Sequence, residues 1–368
     1  MIRLIILLLS FRFYSLSSPD MDGVPLAFYD DLCDILSTDA LRGANELSGY
    51  LGTLSRLARK NRAQYTCFVR KGKEEQKRIS YKYNGSEVPR EVEKDFPKKY
   101  VRDVTIHLED AENEDLCRRL VRSFPYAKYH FVHKTSSVSK DWVDLVYSLK
   151  RLGQIVFEKM LNDDALYVLK KLIKGRKLSG LMMYQEACQG STIAVAKALL
   201  LQRQFKKLEV RQELDYLSTP INELLEFWVE HSDKLRGKSL IVKGTHREGA
   251  QLEEFLRQRS LLAKMSSSLL SESNSSARRL ASGTQQVFQL CSKEERDLIK
   301  KEYLLNHYIF KKSSCVYKFQ EGRKRRFYLL FECAHKGTTF EEGRPPSHSG
   351  EDGLKLLRRA RRYRILFA

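Results

Sequence analysis

Val104-Thr105-Ile106-His107-Leu108, followed after a polar break by a helical run from Glu114 to Phe124, sets the pattern on which the fold of this chain is read. The first stretch is apolar and β-branched, as a strand requires. The alternation then recurs. Strands are expected to begin near Tyr129, Gln154, Leu181 and Lys207, with a further one at Leu240-Ile241-Val242. Helices are expected over Trp142 to Leu152, Ala165 to Ile173, Ile193 to Gln202 and Ile221 to His231. Strand starts fall about 25 to 27 residues apart and then about 33, close to the period of strand–helix solenoids, in which each unit needs its neighbours to cover its apolar face. An ordinary α/β sheet with crossover helices gives the same alternation. The lack of a Gly-rich phosphate turn after any strand favours the solenoid.

Working outward, the chain is expected to be α/β with distinct ends. Residues Val24 to Lys60 read as consecutive short helices. Pro25 suits a first helical turn, where its missing N–H costs nothing, and Phe28, Leu32, Ile35 and Leu36 follow at helical spacing. Ser37-Thr38-Asp39 offers cap chemistry for a second helix. Leu51, Leu54 and Leu57 mark a third, closed by the basic end Arg56, Arg59, Lys60 and Arg62. Gln64 to Glu87 reads as a hairpin or meander ending at Asn84-Gly85. Ser260 to Gln285 is Ser-rich and reads as a loop or disordered linker. Lys293 to His307 looks helical, and Val316 to Phe319 with Phe327 to Phe331 flank Glu321-Gly322-Arg323-Lys324-Arg325 as a C-terminal hairpin. The expected segments are a leader at 1–20, a helical module at 21–62 and a strand–helix repeat domain at 63–259. A linker at 260–285, a helix plus β-hairpin at 286–336 and a flexible basic tail at 337–368 complete the scheme.

Composition bounds the function. With 42% apolar and 30% charged residues, the 368-residue chain reads as globular rather than disordered. Its formal net charge of +20 favours acidic partners, whether nucleic acid, anionic lipid or an acidic protein. The cysteines stand singly with no C-x-x-C pair, a pattern of buried thiols in a reducing compartment, the cytosol or nucleus. The N-terminus argues otherwise. Met1-Ile2-Arg3, the apolar stretch Leu4 to Phe11, and small residues at Ser15, Ser17 and Ser18 form a signal-like leader too short to span a bilayer. Sequons at Asn84 and Asn274 fit a secreted protein. Translation from Met21 is the competing explanation. No other stretch is expected to cross a membrane.

Catalytic signatures are lacking: there is no P-loop, nucleophile elbow or H-E-x-x-H. Neither a metal nor a cofactor is therefore expected. His130 and His133, three apart on a strand, should point to opposite faces and cannot share a metal. Cys333-Ala334-His335 is a thiol–imidazole pair of a kind that is usually structural. Glu253-Glu254 reads as a solvated helix face. Two basic patches remain. Arg323, Lys324, Arg325 and Arg326 occupy a hairpin tip beside Tyr317, Phe319, Phe327 and Tyr328, where cations could hold phosphates and rings could stack on bases. A solvated turn between core-facing aromatics explains the same residues. Arg358, Arg359, Arg361, Arg362 and Arg364 end the chain, as an anion-binding segment, an import signal or a tail.

The Val24–Asn61 segment resembles an F-box. Val24-Pro25 stands at the L-P opening of that motif, Phe28, Leu32 and Leu36 follow along its first helix, Asp39-Ala40-Leu41 resembles its D-L step and Leu47-Ser48 its V-S step. Leu51, with Tyr50 beside it, stands where the family has Trp. Downstream, Leu224-Leu225-Glu226-Phe227-Trp228, Leu240-Ile241-Val242 and Glu254-Phe255-Leu256 are similar to nematode-type F-box-associated proteins with leucine-rich-repeat-like units, though no asparagine ladder is present. The resemblance implies a substrate receptor of a Skp–cullin–F-box ubiquitin ligase, not an enzyme itself. Pro25, Phe28, Leu32, Leu36 and Leu41 would dock on the Skp adaptor, and the repeat region would hold an unknown protein target. Two other classes stay open: a basic nucleic-acid-binding protein and a secreted protein with a cleaved leader.

Overall fold

The computed structural model describes residues 25–110, 114–211, 220–243, 246–272, 288–303, 314–321, 325–332, 357–358, 360 and 362–368. They fall into a helical unit, which includes Arg62 and takes in Tyr81–Ser86, and a sheet unit of Ala63–Ser80 and Glu87 onward.

In the helical unit, α1 (Leu26–Ile35), α2 (Thr38–Ala44) and α3 (Gly49–Asn61) follow one another. Pro25 precedes α1 with φ −57° and accepts the Phe28 N–H through its carbonyl at 2.9 Å. Ser37 caps α2 as its residue type suggests, its Oγ accepting from Ala40 N–H at 3.1 Å. Tyr29, Cys33, Leu41, Ala44, Gly52 and Ser55 are the buried set. Gly52 is required by contact, since a Cβ there would lie 1.8 Å from the Leu47 carbonyl oxygen. Arg62 corrects its expected role as a dipole-facing cation of its own helix. Its buried guanidinium reaches back instead, donating to the carbonyls of Cys33 (2.9 Å) and Leu36 and so satisfying the orphan acceptors at the end of α1.

The sheet unit is built on twelve strands among the described residues, in the order β2-β1-β3-β4-β5-β6-β7-β8-β12-β11-β10-β9. Strands β1 (Ala63–Arg70) and β2 (Lys73–Tyr81) meet at Lys71-Gly72, whose positive φ values of 48° and 66° match the twist-compatible hairpin turn. Then β3 (Val101–Leu108), α5 (Glu114–Ser123), β4 (Lys128–His133), α6 (Lys140–Ser148), β5 (Leu152–Phe157), α7 (Asp163–Lys174) and β6 (Gly180–Tyr184) alternate. The series continues with α8 (Gly190–Leu200), β7 (Lys207–Arg211), α9 (Ile221–Leu235) and β8 (Ser239–Lys243). The short α4 (Arg90–Glu93) precedes β3. From β3 to β8 each strand pairs in parallel with the next in chain order, through Val104↔Tyr129, Phe131↔Ile155, Ile155↔Leu181, Leu181↔Leu208 and Leu208↔Leu240. The predicted alternation is thus present, element for element.

Strand side chains alternate between two environments. Val104, Ile106, Tyr129, Phe131, Ile155, Phe157, Leu181, Met183, Leu208, Val210, Leu240 and Val242 are buried on the face that the helices cover. Phe131 meets Trp142 of α6 edge-on at 5.3 Å. Residues of the opposite parity are polar or half-buried.

Beyond β8 the structure departs from expectation. The segment read as a linker from Ser260 is helical as far as Glu272, the end of α10 (His246–Glu272). Residues 273–287 lie outside the described set. After β9 (Phe288–Leu290) and α11 (Lys293–Tyr303), β10 (Ser314–Glu321) and β11 (Arg325–Glu332) form the expected antiparallel hairpin, from Ser314↔Glu332 to Glu321↔Arg325. The end of the supposed tail is strand β12 (Arg362–Phe367), inserted between β8 and β11. Its alternation explains why: Tyr363, Ile365 and Phe367 enter the core while Arg362 and Arg364 take the other face. The hairpin is therefore part of one sheet and not a separate closing module.

Trp228 of α9 is fully buried among Phe319, Phe327 and Phe367, stacked on the last at 5.9 Å. Trp228→Ala is expected to cost about 3–5 kcal/mol in chemical denaturation, whereas Phe28→Ala on the surface should stay within about 0.5 kcal/mol. Comparable losses at the two positions would contradict this packing.

Candidate functional site

Each unit presents one surface with interaction chemistry. On α1, Phe28, Leu32 and Ile35 stand at i, i+4 and i+7 and share a stripe. Phe28 is 55% and Ile35 63% exposed, while Leu32 is half-buried. Pro25 is exposed and Leu36 half-buried. The inward face of the helix is carried by Tyr29 and Cys33, whose thiol lies 3.5 Å from Ser55 Oγ. Leu41 corrects the expected docking set. At 0% exposure it belongs to the core of the unit and offers nothing to a partner. Tyr50, beside the position where the family has Trp, is 65% exposed.

At the hairpin, Arg323 and Lys324 lie outside the described residues. Arg325 pairs with Glu321 at 3.4 Å, and Glu321 also takes both oxygens' worth of Arg259, at 2.7 and 2.8 Å. Arg326 stands over the Tyr328 ring at 5.5 Å. Tyr317, Phe319, Phe327 and Tyr328 are buried, so the described half of the tip has core-facing aromatics and engaged arginines. The acid pair on α10 is not a solvated face either. Glu253 is buried and holds Arg257 at 2.6 Å and Arg358 at 2.5 Å, whereas Glu254 is exposed and bonds Gln258.

The helix-free face of the sheet is where charge organises. At the β1–β4 side, Glu109 accepts from Arg70 (2.9 Å) and Lys134 (2.7 Å), and those two bonds hold its carboxyl below the usual carboxylate range. Lys134 also sits over Phe68, whose ring stacks on His107 at 4.3 Å. His130 meets Asp103 at 3.2 Å. At the β6–β12 side the balance changes. Tyr184↔Arg211, Arg211↔Lys243 and Lys243↔Arg362 are cross-strand partners, so one phenol and three cations stand in line across β6, β7, β8 and β12. At about 4.8 Å per strand, that line spans about 14 Å.

One level below lies Glu209, buried, with Arg211 at 3.0 Å, Lys207 at 3.5 Å and Lys243 at 3.9 Å. Burial pushes its carboxyl up, but Lys207, Arg211 and Lys243 more than offset this and hold it low. Burial depresses Lys207 and Lys243, and their cationic neighbours depress them further: Arg364 and Arg211 act on the first, Arg211 and Arg362 on the second. Five cations thus share one carboxylate. Sequence reasoning missed this site because its members come from three separated segments, and only strand register aligns them.

Among the described residues no three His, Cys, Asp or Glu side chains gather to hold a metal, and no helix is long and apolar enough to cross a membrane. Burial pushes the thiols of Cys117, Cys188 and Cys291 up to about 12, which starves them of the thiolate form that a nucleophile needs. Cys333 and His335 lie outside the described residues. No protein-family model, curated protein or solved structure matches the chain.

His130 and His133 do face opposite sides. His133 is enclosed against Trp142 at 4.2 Å, and burial drives its imidazole down to about 3. The unfolded chain binds that proton near about pH 6.5, so the stability His133 contributes is complete above that value and is lost as pH falls through the window toward about 3. The denaturation midpoint should therefore drop between about pH 7 and about pH 5, and His133→Phe should flatten part of the drop. Identical slopes for variant and wild type would contradict the assignment.

Proposed function

We propose that this protein is a substrate-receptor subunit of a Skp–cullin–F-box type ubiquitin ligase, with the helical unit docking on the Skp adaptor and the sheet unit holding a protein target. The observation that carries the reading is the outward stripe of α1. Phe28 and Ile35 remain largely exposed on a helix whose inner face is already filled by Tyr29 and Cys33 and whose last carbonyls are already served by Arg62. Large exposed apolar side chains on an otherwise satisfied helix are the anchors from which protein interfaces draw most of their energy. Pro25, Leu32 and Leu36 border that stripe.

The strictly sequential parallel strands from β3 to β8 support the solenoid-like reading of the sheet unit, since a repeat stacked on its predecessor gives that order. An open polar face beside it suits target capture. Such a receptor carries out no covalent step. It raises the local concentration of target lysines near the charged ligase, and it works in the cytoplasm or nucleus.

The full chain should retain the Skp adaptor in a pull-down, and Phe28→Asp/Ile35→Asp should abolish retention while leaving the circular dichroism melt unchanged. Equal recovery by both proteins would remove the adaptor reading.

A further inference from the structure

We infer that the target site is the cationic half of the open sheet face, and that it recognises an acidic segment of a partner protein through Lys207, Arg211, Lys243, Arg362 and Arg364. The inference rests on reading the sheet unit as the target-holding half. Its chemistry follows from asymmetry along one face. At the β1–β4 end, Arg70 and Lys134 are matched by Glu109, and His130 by Asp103. Across β7, β8 and β12 no such alternation occurs. The in-register line Arg211, Lys243, Arg362 has the single buried Glu209 beneath it.

A carboxylate-rich segment laid over this line would relieve the mutual repulsion that already depresses Lys207 and Lys243. Arginine adds a planar fork suited to carboxylates, and two of the three line positions are arginine. The surroundings favour protein over nucleic acid. Beside the cations on the same face lies an aliphatic patch of Val132, Val156 and Met182, with Tyr184 packed against it. Tyr184 is the one aromatic of the line, whereas single-stranded nucleic acid binds on successive stacking rings. A segment of clustered Glu or Asp flanked by an aliphatic residue fits both parts of the surface.

The test is fluorescence anisotropy of the full chain with a fluorescein-labelled peptide of alternating Glu and Ser ending in Leu, without the Skp adaptor. Adaptor capture and peptide binding then succeed or fail separately. Wild type should bind with an affinity that falls as salt rises. Arg211→Gln/Lys243→Gln/Arg362→Gln should weaken binding by about tenfold or more, and Lys243→Gln alone, which leaves the Arg211–Glu209 pair intact, by a smaller factor in the same direction. Arg70→Gln/Lys134→Gln, on the neutralised half, should stay within about twofold, and Glu209→Gln should tighten binding. Equal affinity of the triple variant and wild type overturns the proposal. So does displacement of the peptide by single-stranded RNA or duplex DNA that binds more tightly and loses affinity in the same triple variant, which would assign the face to nucleic acid.

Discussion

The pairing of β12 with β8 on one side and β11 on the other is the interaction on which the sheet unit depends. Without it, β8 and β11 would each present a row of unpaired N–H and C=O groups, a costly arrangement for strands whose side chains are buried. The ladder is continuous. Phe367 N–H donates to Lys238 O at 3.0 Å and Gly237 N–H to Phe367 O at 2.8 Å, while Ala368 N–H donates to Arg326 O at 2.9 Å. The same strand places Phe367 against Trp228 and carries Arg362 and Arg364 to the edge of the Glu209 cluster. One short strand therefore closes the core on one face and completes the charged surface on the other.

The charge of the chain gains meaning from this placement. A net +20 could be spread evenly as a solubility device. On the open face it is not. The β1–β4 side is laced with matched pairs, and partly exposed pairs of that kind contribute about 0–1 kcal/mol each. They do not hold the sheet together; aliphatic and aromatic burial on the helix-covered face does that. What the pairs accomplish is neutrality, leaving the excess concentrated across β7, β8 and β12.

How far the sequence could be read follows from which interactions are local. The βα alternation from Val101 to Lys243 was legible because period-2 and period-3.6 patterns are properties of short windows. The hairpin of β10 and β11 was legible for the same reason. The β12 strand was hidden by its composition: four arginines near the chain end suggest a solvated tail, although Tyr363, Ile365 and Phe367 alternate as a strand should. In α10, the serines after Arg259 masked a helix that continues to Glu272. On α1 the apolar spacing revealed a helix but could not say which way it turned. Leu41 went inward because α2 packs on its neighbours, and Tyr29 and Cys33, not Phe28, face the core. The cation line was beyond local reading altogether, since Arg211, Lys243 and Arg362 meet only through strand register.

The most direct measurement is amide hydrogen exchange on the full chain, read at Arg362–Phe367 against Ser239–Lys243. If β12 is the strand that joins the two halves of the sheet, its amides exchange as slowly as those of β8, and both open together on mild denaturation. Exchange of the Arg362–Phe367 amides at the rate of an unstructured chain, with β8 still protected, would contradict both the closure of the core and the construction of the cationic surface.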